Sequence, residues 1–482
     1  MNYSHSLEKT YQSEKCLSPF ALILIVLLEG FVTVSAQILT IRQLIPFFGN
    51  TVITTSVIIG VFLLFLAFGY RFGGTITKNF QLALTRNFII SSMIFSIGLS
   101  FLFIELFVST LHNLLEVTPF FYLTTYLLII TAPLVFILGQ TIPITMNLYK
   151  KSSRVSQIGG NLLYISTVGS FLGATVTSLV LLSFIGVAYT ILFNCITLFV
   201  LIMLMQGNIK NIMVWYSVIG ILVLCYYCNV TYEKSKFILA NSYGNYAIED
   251  KVITNDIVKR EGKAFLINAS YLNAYGNSFI DNNMKGYDYI EKVKKILFQE
   301  LKIRNKDILI LGAGGFTISA ENTYDNRFTY VDIDKDVANI TKKENFAPIN
   351  GRFIATDARQ YVRKHPATYD VIFSDVYSTG HSIPTQLVTF EFFMEIKKVL
   401  KGEGPAIFNI ISNPQMKDAY SQHLDQTIKS VFPYCSSNPA TYRDGRTNNI
   451  YVCFNAEMNR ELYTDNLNRS SLEFGELLYK KE

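Results

Sequence analysis

The sequence predicts an α-helical, multi-span membrane domain followed by a Rossmann-like α/β domain that begins with a small β-meander. Half of the 482 residues are hydrophobic and only 16% are charged, whereas about a quarter of the residues of soluble domains are charged. Up to Val230 the chain consists of long apolar stretches, and after Glu233 charged residues become frequent. We expect four segments: a polar segment at 1–18, the membrane domain at 19–232, the small β domain at 233–285 and the Rossmann-like domain at 286–482.

Seven apolar stretches are each long enough to cross a bilayer core of roughly 30 Å as a helix of about 20 residues. They are Pro19–Ile41, Thr51–Tyr70, Phe88–Leu111, Pro119–Leu148, Gly160–Ile185, Ala188–Met205 and Ile212–Val230.

Basic side chains concentrate in two of the connecting loops, which hold Arg71, Lys78 and Arg86 and then Lys150, Lys151 and Arg154. Short cytoplasmic loops carry an excess of Lys and Arg, so both loops are expected in the cytoplasm. Strict alternation over seven spans then puts the C-terminal domain on the opposite side of the membrane.

Polar side chains within the spans indicate a functional site, because they are costly in a bilayer. Glu29, Gln37 and Arg42 follow one another along the first span. Hydrogen bonds between helices, worth about 1 kcal/mol or less each, are the alternative explanation.

Strands and helices alternate in the C-terminal half, which predicts a parallel sheet with crossover helices. A meander of Tyr246–Glu249, Ile253–Val258 and Ala264–Asn268 comes first. The predicted helices are Tyr287–Leu301 and Thr389–Leu400, and the predicted strands are Asp307–Leu311, Phe328–Ile333, Arg352–Ala355, Asp370–Ser374 and Ala406–Ile411.

Four successive predicted strands end in glycines or in an acidic residue. The first ends in the turn 312–315 (GAGG), and the others end at Asp332, Asp357 and Asp375. Glycines let a backbone turn approach a ligand closely. An acid about twenty residues after the first glycine suits the hydroxyls of a ribose. The set therefore predicts a nucleotide site at the carboxyl ends of the strands.

Other patterns exclude some classes. No stripe of Lys or Arg accompanies the net charge of +6, so nucleic acid is not an expected partner. Cys435 and Cys453 are two of six cysteines in a long chain, and we expect them to be reduced. We expect no bound metal.

The ordered motifs resemble those of the spermidine synthase family, aminopropyltransferases with the fold of adenosylmethionine-dependent methyltransferases. They are LILGAGG (309–315), YVDID (330–334), TDA (356–358) and YDVIFSDVYS (369–378), preceded by SYGNY (242–246), FLIN (265–268) and YIE (289–291). The N-terminal half resembles the multi-span domain of membrane-bound, spermidine-synthase-like bacterial proteins in LLEG (27–30), Gln37, IRQLIPFFG (41–49) and FGYRFGG (68–74).

The resemblance implies a role for each motif. Asp332 would bind the ribose and Asp357 the adenine, while Gly312, Gly314, Gly315 and Ala358 would line the cofactor side. Asp375 would be the general base that takes a proton from the attacking amine. Tyr243, Tyr289 and Ser378 would line the substrate side.

Two positions depart from the family pattern. Gly315 and Ser378 stand where the family carries acids that bind the aminopropyl ammonium and the amine substrate, and this makes putrescine a doubtful acceptor. The expected donor is therefore decarboxylated adenosylmethionine or adenosylmethionine itself. His381, close to Ser378, is a candidate to act beside the base, although an exposed loop histidine is the commoner situation.

Three other functions stay open at this stage. They are an adenosylmethionine-dependent methyltransferase, another adenosylmethionine-using enzyme with a membrane-associated substrate such as a lipid, and a transporter that senses a nucleoside through its soluble domain. The expected location is the bacterial inner membrane, with the catalytic domain in the cytoplasm because such donors are made there. Expected partners are the lipid bilayer and a small amine, and a homodimer is left open.

Overall fold

The computed structural model describes residues 17–49, 52–115, 118–149, 155–206, 212–241, 243–254, 259–268, 270, 278–377, 383–441 and 445–455. Its N-terminal half contains seven helices that are long and apolar enough to cross a membrane. With one shorter apolar helix, α4, they are α1 Pro19–Phe48, α2 Val52–Gly73, α3 Phe80–Gly98, α4 Phe101–Leu114, α5 Pro119–Leu148, α6 Ser156–Phe184, α7 Gly186–Met205 and α8 Val214–Lys236.

The prediction of a single third span at Phe88–Leu111 is wrong. The helix breaks between Gly98 and Phe101, where the hydroxyl of Ser100 accepts a hydrogen bond from the backbone N–H of Phe103 at 3.1 Å. That bond caps a new helix, α4. The 14 residues of α4 extend about 21 Å, which is less than a bilayer core of roughly 30 Å.

Helices α1 and α6 are in close contact through glycines. A Cβ atom on Gly169 would lie 2.1 Å from the carbonyl oxygen of Leu27, and one on Gly173 would lie 2.4 Å from that of Phe31. From the other helix, a Cβ on Gly30 would lie 2.5 Å from the carbonyl oxygen of Ser166. Small residues four apart let helix backbones approach in this way, and α6 cannot keep this position with larger ones.

A four-stranded antiparallel sheet follows, in the order β1-β2-β3-β4. Its strands are β1 Leu239–Ala240, β2 Asn245–Thr254, β3 Lys259–Ile267 and β4 Ser278–Asp281. The first two predicted meander strands therefore form the single strand β2 up to Thr254, and residues 255–258 lie outside the described residues. Long alternation of exposed and partly buried side chains in β2 made one strand resemble two.

The Rossmann-like fold is confirmed. Its seven-stranded sheet has the order β10-β11-β9-β8-β5-β6-β7, and the strands from β9 to β7 are parallel. The strands are β5 Asp307–Leu311, β6 Arg327–Asp332, β7 Arg352–Ala355, β8 Val371–Ser374, β9 Pro405–Ser412, β10 Tyr434–Pro439 and β11 Thr447–Phe454. The helices are α9 Asp288–Lys295, α10 Asp336–Lys343, α11 Ala358–Lys364, α12 Phe390–Val399 and α13 Ala419–Val431.

The expectation of a purely parallel sheet is wrong at one edge, where β10 and β11 run antiparallel. The expectation that Cys435 and Cys453 are reduced is also wrong, because the two form a disulfide. They lie directly opposite each other on β10 and β11, a register that brings two side chains to bonding distance. No spacing in the sequence reveals that register.

The two halves share an apolar contact. The ring of Phe101, at the start of α4, lies 5.2 Å from that of Phe47 in α1 and 4.9 Å from that of Phe237. Ala247 and Leu266 of the small sheet belong to the same buried cluster. The small sheet is therefore packed on the helices and links them to the Rossmann-like sheet.

The glycine contact between α1 and α6 gives a prediction about stability. Gly169→Ala is expected to lower the free energy of unfolding by about 1–3 kcal/mol, because the new methyl group overlaps the Leu27 carbonyl. Gly160→Ala, in the same helix, is the matched control, since a Cβ there has no neighbour within 4 Å. Thermal unfolding of the full chain in detergent measures both. Equal shifts for the two variants would contradict the close approach.

Candidate active site

A cavity of about 480 Å³ lies at the carboxyl ends of the parallel strands. This is where ligands bind in open α/β sheets. Its lining includes Ser278, Tyr287, Asp288, Tyr289, Gly312, Gly314, Asp332, Ile333, Asp357, Ala358, Asp375, Tyr377, Asn409, Thr441 and Asn448. The structure thus brings most of the residues predicted from separate motifs to one place.

The turn after β5 depends on its glycines. Gly312 and Gly314 have φ angles of 86° and 48°, in the left-handed region that favours glycine. A Cβ on Gly312 would also lie 2.2 Å from the carbonyl oxygen of Asp375. The absence of a side chain therefore lets this turn lie against the end of β8, where the candidate base begins.

Asp332, at the end of β6, connects its own loop to the glycine turn. One carboxylate oxygen accepts a hydrogen bond from the backbone N–H of Ala313 at 2.9 Å, and the other accepts from that of Asp334 at 3.0 Å. Burial raises the pKa of Asp332, while these backbone N–H groups act in the opposite direction. The carboxylate is thus fixed at the end of β6, beside the glycine turn.

Asp357 has a structural role as well as a position in the cavity. It is the N-cap of α11, where its side chain accepts a hydrogen bond from the backbone N–H of Gln360 at 2.8 Å. Ala358 is the first residue of that helix and also lines the cavity. The geometry is compatible with an adenine contact beside the cap.

Asp375 lies just beyond β8, with a defined partner for each carboxylate oxygen. The side-chain amide of Asn409 donates to Oδ1 at 2.8 Å, and the hydroxyl of Tyr289 donates to Oδ2 at 3.1 Å. Burial raises the pKa of Asp375 to about 6, and the two hydrogen bonds oppose that shift. At neutral pH the group is therefore an oriented carboxylate that can accept a proton.

Aromatic and neutral side chains surround this carboxylate. The hydroxyl of Tyr377 accepts from the backbone N–H of Ile411 at 2.7 Å and donates to the carbonyl of Asn409 at 3.2 Å. Burial raises the pKa of both Tyr289 and Tyr377 well above the ordinary value. Both phenols thus stay neutral and act as fixed walls and hydrogen-bond donors.

At Gly315 there is no space for a side chain. A Cβ there would lie 2.3 Å from Cε1 of Phe346 and 3.0 Å from Cβ of Ser278. The hydroxyl of Ser278 accepts a hydrogen bond from the Gly315 backbone N–H at 2.9 Å. The neighbours of Gly315 therefore occupy the volume that a carboxylate would need.

Other predicted site residues lie elsewhere. Tyr243 is 50% exposed and lies outside the cavity lining, on a loop where its backbone N–H bonds to Asn241. Ser378 and His381 lie outside the described residues.

The three candidates of the first span also lie apart from the cavity. Glu29 is buried in α1 and accepts a hydrogen bond from Thr33 at 2.6 Å, while Gln37 is partly buried. Arg42 is buried at the contact with the small sheet.

Sequence reasoning missed Asn409, Tyr377 and Ser278. Asn409 had a detectable signal, because it is an amide in the middle of the apolar strand β9, where a polar group requires a partner. Tyr377 and Ser278 carried no such signal. Their positions depend on how β4 and the loop after β8 approach the glycine turn.

Two curated relatives are similar to part of this chain. A polyamine aminopropyltransferase from Vibrio vulnificus is 33% identical over 133 residues, which are 26% of this chain and 43% of the relative. An N-terminal histidine N-methyltransferase from Emericella nidulans is 34% identical over 134 residues, which are 26% of this chain and 23% of that protein. The chain thus spans less than half the length of these curated relatives.

Similarity to a solved structure is weaker. A probable spermidine synthase from Corynebacterium glutamicum is 20% identical, with a TM-score of 0.35, and the match covers 48% of this chain and 84% of that one. The family model gives the more specific result: residues 289–460 of this chain match the spermine/spermidine synthase domain.

Proposed function

We propose that this protein is a membrane-anchored, aminopropyltransferase-like enzyme that transfers a group from an adenosylmethionine-type sulfonium to an amine. One observation carries the proposal. A single cavity holds an oriented carboxylate, Asp375, beside a glycine turn and the ribose candidate Asp332. The domain match and the aminopropyltransferase relative support the same reaction class, and seven long apolar helices support the anchor.

The proposed transfer needs no reagent besides the donor, the amine and Asp375. The amine nitrogen attacks the carbon next to the sulfonium, so that a new N–C bond forms as the C–S bond breaks. The electron pair of the broken bond goes to sulfur, which leaves as a neutral thioether. Asp375 accepts the proton that the amine loses, and in-line positioning supplies much of the rate.

Tyr289 and Asn409 keep Asp375 in position for this proton transfer. Each of them donates to a different oxygen of the carboxylate, so that the carboxylate plane is fixed. They also stabilise its ionised form, which a base requires. This arrangement is more specific than a loop acid or a helix cap would need.

The donor question centres on Gly315. Phe346 and Ser278 fill the space beside it, so no carboxylate there can bind the ammonium of decarboxylated adenosylmethionine. The carboxylate of adenosylmethionine itself meets less repulsion at such a site. Methyl transfer is therefore the second candidate function, and the similarity to a histidine N-methyltransferase supports it.

The acceptor is proposed to be an amine whose remainder carries no strong positive charge. Tyr287, Tyr377, Thr441 and Asn448 of the described lining are neutral. Besides Asp332, Asp357 and Asp375, the described lining has one further carboxylate, Asp288, which is 46% exposed and lies 4.0 Å from the guanidinium of Arg260. A carboxylate already close to a cation gives a second ammonium little additional attraction.

Replacement of Asp375 tests the general base. Asp375→Asn is expected to lower kcat by about 10²–10⁴-fold while the affinity for methylthioadenosine is retained, because only proton removal is lost. In the wild type, kcat/KM is expected to fall as the pH drops below about 6, where Asp375 becomes protonated. Steady-state kinetics and calorimetry on the detergent-purified chain measure these effects.

Asp425→Asn is the matched control for this variant. Asp425 lies on α13 outside the cavity lining, and its carboxylate accepts a hydrogen bond from the hydroxyl of Tyr451. The side-chain oxygen of an asparagine can accept the same hydrogen bond. Turnover that persists in Asp375→Asn would contradict the assignment of the base. If the wild type bound no adenosyl compound, the proposed enzymatic function would be wrong. The same result would contradict a transporter that senses a nucleoside through this domain.

Restoring an acid at position 315 tests donor choice. Gly315→Asp alone is expected to destabilise the protein, because its Cβ overlaps Phe346. With Phe346→Ala in the same chain, the carboxylate gains space, and the ratio of affinities is expected to move about tenfold or more towards decarboxylated adenosylmethionine. Calorimetry with both donors measures this ratio, and Phe346→Ala alone is the control. An unchanged ratio would show that position 315 does not face the donor.

A further inference from the structure

We propose that Arg42, at the end of helix α1, is a positioning residue for the loop that holds Asp332. The inference rests on the proposed adenosyl site, and it makes the helical half part of the binding machinery. The geometry points to a continuous series of hydrogen bonds from α1 to the glycine turn, through Asn241 and Asp334.

The first step joins the helices to the small sheet. Arg42 is only 6% exposed. Its Nη2 donates to the backbone carbonyl of Asn241 at 2.7 Å and to the side-chain oxygen of Asn245 at 3.4 Å. A guanidinium removed from water needs such partners, so this loop is fixed relative to α1.

The second step passes through the side chain of Asn241. Its amide nitrogen donates to Asp334 at 2.7 Å and to Asp336 at 3.1 Å. Its amide oxygen accepts from the backbone N–H groups of Tyr243 and Gly244 at 2.8 and 3.1 Å. All donors and acceptors of this amide point in defined directions, so a shift of its backbone moves the bonds to both carboxylates.

The third step reaches the cavity. Asp334 is 1% exposed, and it accepts hydrogen bonds from Asn241 and from the hydroxyl of Tyr246. The Asp334 backbone N–H donates to one oxygen of Asp332, whose other oxygen accepts from Ala313 in the glycine turn. A buried carboxylate held in this way has little freedom, and so it fixes the backbone that orients Asp332.

A second hydrogen bond between the halves provides a control. The hydroxyl of Ser270 donates to the carbonyl oxygen of Pro46 at 2.7 Å. Like Arg42, it joins the end of α1 to the small β domain, but no described hydrogen bond leads from it to Asp334. A residue that only fastens the two halves together would behave as Ser270 does.

The test compares Arg42→Gln, Arg42→Lys and Ser270→Ala in the full-length, detergent-purified protein. Calorimetry gives the affinity for methylthioadenosine, and thermal unfolding gives the stability. Arg42→Gln is expected to weaken binding about tenfold or more, whereas Ser270→Ala stays within about twofold. Arg42→Lys keeps the charge and is expected to recover part of the affinity.

A double-mutant cycle tests whether Arg42 acts through Asn241. The combined variant, with Arg42→Gln and Asn241→Ala, is expected to lose less binding free energy for methylthioadenosine than the sum of the losses in the two single variants.

Two results would overturn the proposal. One is unchanged affinity in Arg42→Gln, with or without a lower unfolding temperature, which would make Arg42 a structural contact alone. The other is full additivity with Asn241→Ala. A wild type that binds no adenosyl nucleoside would instead refute the proposed function, so the two failures are distinguishable.

A separate set of observations concerns the side of the membrane. We infer that the Rossmann-like domain lies on the side opposite to the basic loops, and therefore outside the cytoplasm; this rests on the proposed membrane insertion. Contacts of the small β domain and of the chain that leads into it define one end of the helical half. They involve Pro46 at the end of α1, Phe101 at the start of α4, and Tyr189 at the start of α7, whose hydroxyl accepts from Lys234 at 2.7 Å.

The helix ends between which the basic residues lie in the sequence are at the other end of the helical half. A Cβ on Gly73, at the end of α2, would lie 2.8 Å from Gln140 near the end of α5, and Asn87 in the first half of α3 donates to Gln140 at 3.0 Å. In the sequence, Lys78 lies between α2 and α3, Lys150, Lys151 and Arg154 lie between α5 and α6, and Lys210 lies between α7 and α8.

The segments that join the spans at the domain end are 49–51, 99–118, which includes helix α4, and 185, and their sequences contain no Lys or Arg. Lys236 at that end is paired with Glu105. Positive-inside reasoning thus gives one orientation for all seven spans.

The disulfide between Cys435 and Cys453 is the independent observation. Disulfides persist in oxidising compartments and are rare in the reducing cytoplasm. The charge pattern and the disulfide both favour a location outside the cytoplasm, whereas the source of the donor led to the expectation of a cytoplasmic domain.

Reporter fusions to the full-length chain test this orientation in a bacterium. Alkaline phosphatase at the C-terminus is expected to be active, and green fluorescent protein at the same place is expected to be dark. A reporter inserted after Lys78 is the internal control, with the opposite pattern expected. A fluorescent C-terminus with inactive phosphatase, or free Cys435 and Cys453 in freshly prepared membranes, would overturn the inference.

Discussion

The candidate site depends on how closely the turn after β5 lies against the end of β8. Gly312 makes this approach possible, because any Cβ there would overlap the carbonyl oxygen of Asp375. The strand order puts β5 between β6 and β8, so the same turn also meets Asp332 from the other side. A bulkier residue at position 312 would move the glycine turn away from Asp375. The donor and the base that the proposed transfer needs would then lie too far apart.

Much of this arrangement could be predicted from the sequence, because it follows from local rules. Strand ends that carry glycines or acids converge at one edge of a parallel sheet, and therefore the sequence predicts that Asp332, Asp357 and Asp375 lie close together. The break at Ser100 and the antiparallel edge formed by β10 and β11 were missed. The first depends on one capping hydroxyl within an apolar run, and the second on pairing between strands whose sequences carry no directional signal.

Contacts between distant segments were the least predictable. Phe346 fills the space beside Gly315 from a position 31 residues away along the chain, and nothing in either local sequence indicates the contact. Arg42 was interpreted as a candidate for a membrane pathway, because a charge in an apolar span suggests function. The structure places it against Asn241 and Asn245 instead, where its Nη2 donates to two oxygens at the small sheet. The same residue type therefore has a different role once its partners are known.

These contacts give the helical half a part in the chemistry that an anchor alone would not need. Arg42 and the buried cluster around Phe101 hold the small sheet. The small sheet in turn holds Asp334 through Tyr246 and places Ser278 against the glycine turn. A domain outside the cytoplasm would also need its donor to cross the membrane, because adenosyl donors are made inside the cell. Arg42 is the residue of α1 at which the helical half meets this path of hydrogen bonds to the cavity.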